Sequence, residues 1–316
     1  MSQRRRIPKV GLILGGGSAR GWSHIGVIQV LVEAGLKIDI VCGTSIGAIV
    51  GAIYANGKLN DLDAWVRSLS LRDVVSFMDL SLAGGVLKGE RLMSYFRKKF
   101  LDTEIESLHI PFGAVATELY GGSEVWLRSG DALTAVRASM ALPALFAPVH
   151  DEGRVLVDGG LVNPVPVSLA RAMGADILIA VDLTADILER HLRRPTAGPA
   201  LSTPQPAETP GDSWLDKLQS NLSALLPDRP ASDPPQATLP IPSMLDVVAT
   251  SINIMQERIT RSRMVGEPPH VTIAPRVAHL ALMDFHRAEE AINEGRRAAL
   301  EALEEIRSLD VILETR

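Results

Sequence analysis

The sequence predicts an α/β protein, with a central, mostly parallel sheet flanked by helices in three layers. Three observations carry that prediction. Short, continuously apolar runs at 9–14 and 176–183 read as buried strands, because a strand covered on both faces has no polar side to show. Segments with apolar residues at near-helical spacing alternate with the strands, which is the pattern of a parallel sheet with helical crossovers. Glycine-rich turns follow the first two strands directly, so functional loops are expected at the sheet's C-terminal edge.

At 316 residues the chain is long enough to bury a sizeable core, and one domain is expected. Hydrophobic residues at 46% and charged residues at 22% fit a globular protein, and a net charge of −5 speaks against nucleic acid as a partner. Residues 1–8, with Arg4, Arg5 and Arg6, read as a basic solvated tail. The apolar run after those arginines is broken by the glycines from Gly15 onward, and no apolar stretch reaches the ~18–20 residues of a membrane span. A cytoplasmic protein is therefore expected. The single cysteine, Cys42, ends an apolar strand and reads as a buried structural thiol.

Taken in order, the first strand runs into Gly15, Gly16, Gly17, Ser18, Ala19, Arg20 and Gly21, then into a helix carrying Ile25, Val27, Ile28, Leu31 and Val32. A glycine-rich turn at a helix N-terminus exposes backbone N–H groups and binds an anion, either a phosphate or the oxyanion of an acyl-transfer intermediate. A dinucleotide site wants G-x-G-x-x-G and an acidic residue at the end of the second strand. Residues 16–21 lack the middle glycine, and Asp39 stands at that strand's beginning. The second strand, 39–42, instead leads into Gly43, Thr44, Ser45, Ile46 and Gly47, a G-x-S-x-G turn before a helix at 46–55. That is the context of a nucleophile elbow, in which the two glycines keep Cβ atoms away from a tightly turned backbone. A nucleophile and an anion site on consecutive strand ends favour a hydrolase over a nucleotide binder.

Helices are expected at 59–69 and 89–101. The stretch between them, 72–88, holds Phe77, Met78, Leu80, Leu82, Val86 and Leu87, and is either a core-packing connection or an apolar cap over an acyl groove. Strands at 111–119 and 124–128 form a hairpin around Gly121 and Gly122. Asp131 is placed to cap a helix at 132–141. A strand at 155–157 ends in Asp158, Gly159 and Gly160, where the carboxylate either closes a local turn or is held against the elbow. A helix at 167–173 leads to the buried strand at 176–183.

Residues 195–242 break this pattern. They hold eleven of the chain's 20 prolines and too little apolar content to fold, so a disordered insertion is expected. Inside it Trp214, Leu215, Leu218, Leu222, Leu225 and Leu226 share one face of a short helix, which packs back on the domain or docks at a membrane interface. A helix at 243–264, a strand at 270–273 and a helix at 284–309 close the chain. Residues 9–194 thus read as the core that carries the chemistry, and 243–316 as a helical part packing on the same domain. No metal-ligand spacing occurs, and no motif requires a cofactor. None of His191, His270, His279 and His286 stands where a Ser-His-Asp triad needs its histidine.

Four segments in this order resemble the patatin-like phospholipases, specifically the compact bacterial proteins of the neuropathy-target-esterase type. They are GGGSARG (15–21), GTSIG (43–47), VRASMALPALFAPV (136–149) and DGGLVNPVP (158–166). The resemblance covers nearly the whole chain apart from the proline-rich insertion and the extreme N-terminus. It implies a patatin-like three-layer fold and a Ser-Asp dyad, with Ser45 as nucleophile and Asp158 as base. The N–H groups of Gly16, Gly17 and Ser18 are implied as the oxyanion hole, with Gly15, Arg20, Gly21, Gly43, Gly47, Gly159 and Gly160 as supporting motif positions and Arg20 anchoring the loop. The implied activity is hydrolysis of lipid acyl esters, of lipase, phospholipase or lysophospholipase type. Its substrate would be a lipid or lysophospholipid, met through peripheral contact at the inner membrane face. Ser18 departs from the commonest pattern, which has a glycine there, so a positive φ at this position would strain the loop. Two other readings stand beside this one: a triad esterase of α/β-hydrolase type, and a catalytically weak regulatory or scaffold protein using the same fold. Oligomeric state is left open.

Overall fold

The computed structural model describes residues 7–77, 89–143, 145–186 and 244–309. The insertion expected at 195–242, its leucine stripe, residues 1–6 of the basic tail, residues 78–88 of the apolar connection and His191 lie outside these residues.

Strand β1 (Val10–Leu14) runs parallel to β2 (Ile40–Thr44) on one side, and β3 (Phe112–Glu118) continues the parallel set beyond β2. Strand β4 (Glu124–Leu127) pairs antiparallel with β3, as does β6 (Arg154–Asp158), and β5 (Val149–Asp151) pairs antiparallel with β6. On the other side of β1 lie β7 (Ile177–Val181) and then β8 (Val271–Ile273), both parallel. The order is β5-β6-β3-β2-β1-β7-β8, with β4 joined to β3, so the sheet is largely parallel.

Side chains alternate across a strand, and the two faces of β1 therefore enter different cores. Leu12 and Leu14 join the larger core, with helices α1 (Ser23–Glu33), α2 (Ile46–Ala55) and, from the chain's end, α9 (Ala288–Ser308). Ile13 joins a second core with α7 (Val167–Ala172) on the opposite face. This three-layer burial is why β1 reads as an unbroken apolar run. Helices α1 and α9 cross closely because each carries a glycine at the contact: a Cβ on Gly26 would meet the Ile292 carbonyl, and one on Gly295 the Ser23 carbonyl.

Helices α3 (Leu59–Ser68), α5 (Glu90–Lys99) and α6 (Ala132–Ser139) form where the periodicity places them, and Asp131 Oδ1 caps α6 by accepting from Thr134 N at 2.7 Å. Two local elements differ from the sequence reading. Residues 72–77, read as part of the 72–88 connection, belong to helix α4 (Leu71–Phe77), started by a reciprocal cap in which Ser70 N donates to Asp73 Oδ2 at 2.9 Å and Asp73 N to Ser70 Oγ at 3.3 Å. Strand β5 is added to the expected 155–157 strand by a tight turn in which Glu152 (φ 46) and Gly153 (φ 79) both take left-handed conformations.

The register brings two strand ends together. Ala114 and Val115 pair with both β2 and β4, while Ala116 and Thr117 pair with both β4 and β6. Strands β2 and β6 must therefore share the edge of β3 that β4 leaves open, and they approach each other along it from opposite directions. Thr44 sits opposite Val115 and Asp158 opposite Ala116, the next position. The residue after Thr44 is Ser45.

Candidate active site

Ser45 stands in the turn between β2 and α2 with φ 56 and ψ −122, a strained conformation for a residue with a Cβ. Close packing holds it there. A Cβ on Gly43 would strike the Gly47 carbonyl, and one on Gly47 the Leu14 carbonyl, so the elbow folds tightly onto the end of β1. Ser139, fully buried at the end of α6, accepts the Ser45 N–H at 2.9 Å and donates its own hydroxyl to Val115 O at 2.6 Å. Thr44 Oγ1 donates to Asn163 O at 2.8 Å, tying the elbow to the loop after Asp158.

Ser45 Oγ donates to Asp158 Oδ2 at 2.6 Å. Asp158 is 1% exposed, and its other oxygen accepts Gly160 N at 2.7 Å. Thr117 Oγ1 holds the Asp158 carbonyl at 2.8 Å. Burial pushes the Asp158 carboxyl up to about 6, against the opposing hydrogen bonds from Ser45 and Gly160. Such a group is a better proton acceptor near neutrality than an ordinary carboxylate. Gly159 presses on the Val115 carbonyl, where a Cβ has no room.

The glycine loop follows β1. Gly15 N donates to Val181 O at 3.0 Å, and Gly16 N donates to Pro164 O at 2.9 Å. The Gly16 N–H, one of the three expected anion donors, is therefore already engaged, because the loop is stitched to the segment after Asp158. Gly17 precedes and Ser18 opens a short 3₁₀ turn (Ser18–Trp22) that runs into α1, and their N–H groups have no partner among the described residues. Ser18 takes φ 53, the positive value a serine resists, and is secured by its hydroxyl, which donates to Leu282 O at 2.6 Å. Ala19 N donates to the same carbonyl at 3.2 Å. Arg20 is buried, with Nε on Gly17 O at 3.1 Å and Nη2 on Asn253 Oδ1 at 2.8 Å. Burial lowers its guanidinium to about 10, with Asp186 and Asp182 working the other way, so it stays charged at neutral pH. Gly21 packs on Ile46, the residue after the nucleophile candidate, where a Cβ would clash.

Ser45, Asp158, Gly17 and Ser18 line one cleft of about 1010 Å³, counting its open mouth. Its walls are apolar: Ile46 and Ile49 of α2, Val74 and Phe77 of α4, Leu142 and Phe146 after α6, and Phe285. Trp65 organises the aromatic side, with ring centroids 5.3 Å from both Tyr95 and Phe96.

Several residues around the site had no sequence signal. His24 is fully buried in α1, its Nε2 2.8 Å from Gly15 O, and burial lowers it to about 4, so it is neutral and supports the loop as a donor. Its one visible trait was a polar residue in an apolar helix. Helix α8 (Met244–Gly266) brings Asn253 and Gln256 to the cleft from far along the chain. Asp39, weighed as a nucleotide contact, accepts Val10 N at 2.9 Å at the opposite end of β2 from Ser45. Cys42 is buried, its thiol raised by burial, with Sγ 3.5 Å from Met173 Sδ. His270 Nδ1 accepts Leu178 N at 3.0 Å, and His279 pairs with Glu290 at 2.7 Å. Neither these nor His24 bonds to Ser45 or Asp158. Among the described residues no group of three or more His, Cys, Asp or Glu is placed to hold a metal ion.

Comparison with known proteins gives the family of the chain. The Patatin family profile, described as patatin-like phospholipase, matches residues 12–171. An uncharacterized NTE family protein of Mycobacterium tuberculosis (strain H37Rv) is 35% identical over 332 residues, covering 94% of this chain and 92% of that one. The human patatin-like phospholipase domain-containing protein 6 is 37% identical over 183 residues, which is 55% of this chain and 13% of that protein. Lysophospholipase NTE1 of Pyricularia oryzae is 31% identical over 317 residues, 97% of this chain and 19% of that protein. With a profile match over half its length and a relative matched nearly end to end, this chain belongs to the patatin-like phospholipase family, in its NTE branch.

Proposed function

We propose that the protein is a serine acyl-hydrolase that cleaves lipid acyl esters, and so a carboxylic ester hydrolase. The observation that carries the reading is the 2.6 Å hydrogen bond from Ser45 Oγ to the buried Asp158 inside an apolar cleft. In this reading Asp158 Oδ2 takes the proton as Ser45 Oγ attacks the acyl carbonyl. Negative charge then develops on the carbonyl oxygen, and the free Gly17 and Ser18 N–H groups receive it. One such donor is worth ~3–4 kcal/mol of barrier. Asp158 returns the proton to the departing alcohol, and water releases the acyl group from Ser45 by the same steps in reverse.

The apolar walls and the aromatic side of the cleft suit an acyl chain. The relatives' names point the same way, toward phospholipid or lysophospholipid. Leu71 and Val75, 60% and 46% exposed on the outer side of α4 beside cleft-lining Val74 and Phe77, would touch a lipid surface as substrate enters. No helix among the described residues is long and apolar enough to cross a membrane, so that contact would be peripheral.

The test is labelling of the purified protein by a fluorophosphonate probe, with the site mapped by mass. Wild type should label at Ser45, and Ser45→Ala and Asp158→Asn should not. A folded wild type that fails to label would instead favour a binding protein built on this fold.

A further inference from the structure

Helix α8 lies beyond the part of the chain that matches the family profile, yet it forms one wall of the cleft. Three ties set its position. Asn253 Oδ1 accepts Arg20 Nη2 at 2.8 Å, Arg263 Nη2 pairs with Glu124 Oε2 at 2.7 Å, and Ile252 is buried at the cleft wall. Gln256 follows Asn253 by three positions and so shares its face of the helix. It is 6% exposed and lines the cleft.

The Gln256 amide packs against Gly160, the residue whose N–H holds Asp158. A Cβ on Gly160 would run into Nε2 of Gln256 and come within 2.9 Å of Asp158 Oδ1. Gln256 thus stands beside the carboxylate, with no hydrogen-bond partner for its amide among the described residues. Lining the cleft, that amide is left open to a ligand there.

We infer that Gln256 is a substrate-binding residue that holds the alcohol part of the acyl ester beside Asp158. The inference rests on the proposed hydrolase reading. When the tetrahedral intermediate collapses, the bond from the acyl carbon to the alcohol oxygen breaks, and that oxygen takes the proton carried by Asp158, which returns to carboxylate. The alcohol oxygen must therefore come to Asp158, and the side chain packed on Asp158's own loop is on the alcohol's side. A carboxamide both donates and accepts, so it suits the free hydroxyl groups of a glycerol unit. A phosphate would call for Arg or Lys, and none is among the described residues lining the cleft.

The experiment compares monopalmitoylglycerol with ethyl palmitate, which share the acyl chain and differ in the alcohol's hydroxyl groups. Gln256→Met and Gln256→Ala should lower kcat/KM for the glycerol ester on the order of tenfold, the loss of one good hydrogen bond to substrate. Ethyl palmitate, which lacks those hydroxyl groups, should lose several-fold less, so that the preference for the glycerol ester falls. An equal loss on both esters would make Gln256 a structural residue and overturn the inference, as would no loss on either. If wild type labels and hydrolyses both esters while both variants keep its preference, only this inference fails. A wild type that neither labels nor hydrolyses overturns the functional reading and takes the inference with it.

Discussion

Asp158 sits where burial opposes the ionised form that a proton acceptor needs, and among the described residues the Ser45 and Gly160 hydrogen bonds are what offset it. Two consequences follow from a carboxyl raised to about 6. A protonated Asp158 cannot accept the Ser45 proton, so kcat/KM should fall on the acid side with a limb near 6 and level off above it. A pH–rate profile on a neutral ester checks this, and a profile flat through that region would place the base elsewhere. The second consequence concerns stability. A folded-state value above the unfolded 3.8 means that the folded protein binds the proton more tightly, so this group's contribution is favourable at low pH and is lost as pH rises toward about 6. At neutral pH the buried charge costs on the order of 3 kcal/mol. Asp158→Asn should therefore melt higher than wild type at neutral pH while losing labelling, and the gain should shrink toward pH 3.8. Ser45 could be read from its G-x-S-x-G turn, whereas the Asp-Gly-Gly residues alone left a local turn open and the family resemblance was needed to name Asp158 as base. Ser18 shows the limit at this scale: the strain of its φ was foreseeable, whereas the Leu282 carbonyl that secures it comes from 264 residues away.

At the scale of elements, β2 and β6 matter most, because sharing one edge of β3 sets Ser45 against Asp158. Nothing in either segment's sequence announces that pairing, since strand partners are chosen by the whole sheet. Helix α4 was missed for a smaller reason, a Ser70–Asp73 cap at the start of a stretch read for its glycines and apolar residues further on. The α1–α9 crossing joins the glycine loop's helix to the chain's last helix through Gly26 and Gly295. Gly295→Ala should push the two helices apart and cost ~1–3 kcal/mol or more, read as a lower melting temperature. Gly122→Ala is a fair comparison: its Cβ would meet nothing within 4 Å, so the backbone strain of its φ of 66 is its main cost.

For the molecule as a whole, α4, α8 and the 282–285 segment all line the cleft, and α4 also carries the exposed Leu71 and Val75. Leu71→Glu with Val75→Glu should reduce co-sedimentation with phosphatidylcholine vesicles several-fold. Hydrolysis of a soluble short-chain ester should be unchanged, because neither residue lines the cleft. Loss of both together would mean that α4 supports the fold instead of meeting lipid. By itself the sequence determined the layers, the order of most strands and helices, the tight elbow and the glycine loop, because these follow from local periodicity and from glycines packed where no Cβ fits. Only the tertiary structure decided which edge β6 takes on β3, that Pro164 occupies the Gly16 N–H, and that Leu282, Asn253 and Gln256 reach the site. Those are contacts between segments far apart in the chain, and they form only when the sheet and both its helical layers have closed around one another.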